Sequence, residues 1–67
     1  MASRASRLLQ LLETLRGHRH PVSAGTLATQ LAVSPRTLYR DIATLREQGA
    51  QIEGEAGLGY LLRPGFT

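Results

Sequence analysis

Arg36, Thr37, Tyr39, Arg40 and Thr44 follow closely behind a Ser34-Pro35 pair. At 100° per residue, with the core direction set by Leu38, Ile42 and Leu45, Arg36, Arg40 and Glu47 point away from the core. Ala43 lies beside them, and Thr37, Tyr39 and Thr44 flank them. Side chains of this kind on one helix face suit the edge of a duplex. A guanidinium can bridge guanine O6 and N7, each good pair discriminating by about 1–3 kcal/mol, and a threonine can meet a thymine methyl or a phosphate. The Tyr39 hydroxyl suits a phosphate. Ser23 and Ser34 stand at helix starts, where free backbone amides meet phosphate oxygens. Arg4 and Arg7 open the first helix, where the helix dipole disfavours cations and an external anion would offset the cost. Asp41 faces sideways and is poorly suited to a phosphate backbone; it is expected to orient a nearby arginine or to cap another element.

Other chemistries find little support. His18 and His20 stand two apart in a loop without further ligands, so no metal is expected. The absence of cysteine excludes disulfides, thiolate zinc fingers and iron–sulfur clusters. Neither a glycine-rich phosphate loop nor a histidine–carboxylate pairing is visible, and a small chain leaves little room for a pocket. The expectation is no enzyme and no cofactor.

Charge agrees with a polyanionic partner. The 67 residues carry a formal charge of +3. Residues 1–40 hold six arginines against Glu13, whereas residues 41–67 hold Arg46 and Arg63 against Asp41, Glu47, Glu53 and Glu55. This asymmetry places the basic surface on the first three helices. All basic residues are arginine, which suits forked contacts to phosphate or guanine, although codon bias produces the same composition. No apolar run of membrane-spanning length and no leader pattern appear, so a soluble cytoplasmic protein is expected.

The elements that must position these groups are short. Leu8, Leu11, Leu12 and Leu15 form a core stripe on a helix from about Ser6 to Arg16, with Leu9 at its edge and Gly17 ending it. His18 to Val22 reads as a loop or short extended piece, because Pro21 turns its neighbour away from helix. Ser23 caps a second helix with Leu27, Ala28 and Leu31 inward, too short to stand alone. Ala32-Val33 makes a turn with Val33 buried, and Ser34-Pro35 starts a third helix running to about Gln48, with Gly49 as its C-terminal cap. Apolar positions 27, 28, 31, 33, 38 and 42 are those of two helices crossing over a tight turn. Residues 51–54 and 60–63 then read as a β-hairpin. Tyr60 and Leu62 share one face and Leu61 takes the other.

Val22-Ser23-Ala24, Leu27-Ala28, Leu31 to Ser34, Arg36 to Ile42, Leu45, Gly49-Ala50 and Gly57 to Tyr60 together resemble the DeoR-like winged helix of bacterial transcriptional regulators. The nearest subgroup carries a WYL domain downstream. The resemblance covers nearly the whole chain and implies an α+β fold: a three-helix winged helix-turn-helix with a C-terminal hairpin wing. It further implies that residues 1–67 form one domain, the N-terminal part of a longer regulator. That regulator would bind double-stranded operator DNA, commonly as a homodimer through its downstream domain. The wing departs from a basic pattern, with Glu53, Glu55 and no basic residue before Arg63. Gly57 and Gly59 are therefore expected to close the hairpin turn rather than to carry phosphate contacts. The competing expectation is a winged helix used for protein contact or dimerisation. Such a surface favours aromatic and aliphatic anchors, and the outer face of the third helix offers arginine and threonine.

Overall fold

Each helix opens on the same serine device. The computed structural model describes residues 3–55 and 57–63. It contains α1 (Arg4–Arg16), α2 (Ala24–Leu31), α3 (Pro35–Glu47), β1 (Ile52–Glu55) and β2 (Gly59–Leu62). Ser3, Ser23 and Ser34 are the N-caps, and their hydroxyl oxygens accept the amides of Ser6, Thr26 and Thr37 at 3.1, 3.2 and 3.2 Å. Each serine hydroxyl also donates to the hydroxyl oxygen of that same partner. A short polar side chain thus satisfies one orphan amide per helix without an acidic residue in any first turn. Ser3 moves the start of α1 ahead of the Ser6 position expected from the leucine stripe.

Two helix ends share a second device. After α3, Gly49 adopts φ 101°, and the amides of Ala50 and Gly49 donate to Leu45 O and Arg46 O at 3.0 and 3.1 Å. After α2, Ala32 adopts φ 56° and ψ 43°, and Val33 and Ala32 donate to Ala28 O and Thr29 O at 2.9 and 3.2 Å. Both are Schellman closures. Alanine in the left-handed region costs about 1–2 kcal/mol, so packing must hold this turn against local preference.

The three helices wrap a core of Leu11, Leu15, Leu27, Leu38 and Ile42, joined from the sheet by Ile52, Tyr60 and Leu62. Leu8, Leu12, Leu31 and Val33 pack at its margin, so Val33 is half-buried rather than buried. Leu9 lies outside the core. The sheet is an antiparallel hairpin in the register Ile52↔Leu62, Glu53↔Leu61, Gly54↔Tyr60 and Glu55↔Gly59. Three helices followed by this hairpin make a winged helix-turn-helix, as the sequence predicts.

The segment before α2 adds a third strand position. Val22 donates to Tyr60 O at 2.8 Å and accepts from the Tyr60 amide at 2.7 Å, so β2 is bonded on both edges. Glycine makes this possible. A Cβ on Gly59, at φ 99°, would press within 3.0 Å of Pro21, and one on Gly54, at φ 103°, would lie 1.9 Å from Gly59 O. A Cβ at Gly57 meets nothing within 4 Å. The close approaches in the hairpin thus fall at Gly54 and Gly59, only the second of which the sequence singled out.

Candidate nucleic-acid interface

The helix-turn-helix unit presents one face of α3 outward. Leu38, Asp41, Ile42 and Leu45 turn inward, and Arg36, Arg40, Ala43 and Glu47 are exposed. Thr37 and Thr44 are half-buried on the flanks, and Tyr39 is 42% exposed. Among the described residues, the guanidiniums of Arg36 and Arg40 have no hydrogen-bond or ion-pair partner. Ser34 caps this helix beside Thr37.

The start of α1 crosses α3 and is fastened to it by two arginine rungs. Arg7 donates from Nε to Asp41 Oδ2 at 2.6 Å and from Nη2 to Oδ1 at 3.1 Å. Arg4 donates from Nη2 to Thr44 Oγ1 at 2.7 Å. Both helices use positions three apart, the spacing that puts side chains on one face. Asp41 is 1% exposed, so its carboxylate needs a charged partner and forked geometry to be tolerated there. Its hydrogen bond raises the Arg7 pKa above the ordinary arginine value, against a lowering by burial. Asp41 thus orients an arginine, as the sequence suggested, but it turns inward rather than sideways.

A cleft of about 180 Å³ opens between the two helices, lined by Arg4, Arg7, Thr37, Arg40 and Asp41. Four of the positions singled out from sequence therefore meet in one place. Thr44 joins them through Arg4. Ser23 stands apart at the start of α2, its hydroxyl held by Thr26.

Residues 7–61 match the family described as HTH domain. The chain belongs to that family. It is a helix-turn-helix domain of the DNA-binding type. No curated protein matches the chain, and no described helix is long and apolar enough to cross a membrane.

In this HTH domain the wing is electrostatically unlike α3. Glu53 and Arg63 pair at 2.8 Å with both side chains more than half exposed, and Glu55 adds a further negative charge. Arg46, which the sequence did not single out, bridges α3 and the wing. It donates from Nε to Ile52 O at 3.0 Å and from Nη2 to Gly54 O at 2.9 Å. Its guanidinium also stands 5.7 Å from the Tyr60 ring centroid. Arg63 donates its amide to Gln51 O, so in this register the carbonyls of Ile52 and Gly54 face away from β2. Arg46 satisfies both and closes the outer edge of β1. A basic residue just before a helix-ending glycine was the only available signal, and it does not reveal which carbonyls will lie within reach.

Proposed function

We propose that this HTH domain binds duplex DNA sequence-specifically with α3 in the major groove, as the DNA-reading part of a bacterial transcriptional regulator of the DeoR-like kind. The observation that carries this reading is the outward pair Arg36 and Arg40, which have exposed forks and no internal partner. They are the base-reading candidates. Ser34, Thr37 and Tyr39 serve neighbouring phosphates, and Ser23 does so from the start of α2. Thr44 has its hydroxyl engaged, accepting from Arg4 and donating to Arg40 O at 3.0 Å. Its methyl remains for a thymine. Arg4 is available to DNA, whereas Arg7 supports binding by holding α1 on α3. The DeoR-like subgroup, the downstream WYL domain and homodimerisation through it rest on the sequence resemblance.

The alternative of protein contact would draw on exposed Leu9 and Leu58. They stand singly on different elements, which is ordinary for a protein surface.

The test is selection of bound duplexes from a random pool, followed by titration of the selected site at several salt concentrations. Each neutralised phosphate contributes about 0.9 to the slope of log affinity against log salt. A slope of several units is expected, and a slope near zero would overturn the proposal.

A further inference from the structure

The geometry points to a phosphodiester-binding cleft between α1 and α3, in which Arg4 is the ligand, Arg40 adds positive charge at the rim and the Arg7–Asp41 pair is the floor. This inference rests on the DNA-binding reading and assigns to the chain a contact made by α1, outside the helix-turn-helix unit. The cleft is lined by three guanidiniums and one carboxylate. Asp41 is already taken by Arg7 through two hydrogen bonds. The positive charge of Arg4 and Arg40 is therefore not cancelled locally. Arg4 is nevertheless fixed, because Thr44 accepts one of its Nη2 hydrogens. A neutral acceptor holds the guanidinium in place without consuming its charge, and its remaining N–H groups stay free for an anion. Thr37 lines the same cleft with a hydroxyl. No acidic residue stands in the first turn of α1, where the helix dipole adds to the attraction for a phosphate. A rigid planar fork beside a second exposed fork suits the tetrahedral oxygens of a phosphodiester.

The difference between the rungs defines the roles. Arg7 meets a buried carboxylate and becomes structural, whereas Arg4 meets a hydroxyl and stays a ligand. The pair at 7 and 41 is neutral as a unit and packs the start of α1 on α3, a contact that apolar side chains can replace.

Binding of the full chain to a random-sequence duplex and to the selected site, followed by fluorescence anisotropy across a salt series, tests this. Arg4→Ala is expected to lower the salt slope by about 0.9 and to weaken both duplexes by the same factor. Arg63→Ala is expected to leave the slope unchanged. The double variant Arg7→Met/Asp41→Leu replaces the pair with apolar groups, an exchange that is often neutral for folding, and is expected to keep the wild-type slope. A steep wild-type slope with an equally steep Arg4→Ala slope would overturn the cleft alone. A double-variant slope lowered as far as that of Arg4→Ala would show Arg7 to be a ligand and overturn the assigned roles. A wild-type slope near zero would overturn the DNA-binding reading together with the cleft. Thermal midpoints for each variant separate these outcomes from unfolding.

Discussion

The two ends of α3 use arginine in opposite ways. At its C-terminal end Arg46 is spent on two wing carbonyls, and in the wing Arg63 is paired with Glu53. At its N-terminal half Arg36 and Arg40 are exposed and unpartnered, and only Arg7 among the neighbouring arginines is bound to a carboxylate. The formal charge counts these residues alike. Their partners separate them: one end is closed by its own backbone acceptors, and the other presents its donors outward.

Breaking the internal rung at the open end should have the largest effect. Arg7→Met strands the buried Asp41 carboxylate, and a loss of roughly 3 kcal/mol is expected in chemical denaturation. An unchanged denaturation midpoint would mean that the carboxylate finds water or another donor.

The contrast between the ends is tested directly by Arg40→Ala and Arg63→Ala. The first should weaken the selected site by about 1–3 kcal/mol, as expected for loss of one bidentate base contact. The second should change it little, because Arg63 already faces Glu53. Equal small losses would remove α3 from its assigned role.

At the closed end, Arg46→Ala removes two hydrogen bonds and a cation–π contact. A destabilisation of about 1–2 kcal/mol is expected, with the salt slope of duplex binding unchanged. A lowered slope would place Arg46 on the DNA instead.

The smallest effect concerns pH. Burial raises the Tyr60 hydroxyl above its usual value near 10.0, with Arg46 opposing the shift. A raised folded pKa means stability is complete below the unfolded pKa and declines as pH rises through the folded one. Thermal melts should therefore fall at pH above about 10, and Tyr60→Phe should flatten that fall.

The starts of α2 and α3 were legible because a capping serine is written in the chain next to the amide it serves. The inward stripe was legible because helical period is a local property. The rungs were not. Arg4 and Arg7 look equivalent in sequence, and they diverge only because α1 crosses α3 with Thr44 under one and Asp41 under the other. Arg46 and Gly54 were missed for a related reason: their partners belong to other segments. The α3 face could be drawn on a wheel, whereas the cleft required the crossing of two helices. The early start of α1 was hidden because the leucine stripe begins only at Leu8 and says nothing about the turn that Ser3 caps.

The pair of hydrogen bonds between Val22 and Tyr60 has a mechanical consequence. It ties together the two ends of the stretch containing α2, the turn, α3 and most of the hairpin. Tension applied at Val22 and Tyr60 themselves would be carried by these two bonds, leaving α2 and α3 between them unloaded. Single-molecule pulling from those points should first rupture this pair, and only afterwards lengthen the chain by the stretch between them. Release in the reverse order would show that the load runs through the helices. Until the pair yields, the helix-turn-helix unit is a slack loop in a taut chain.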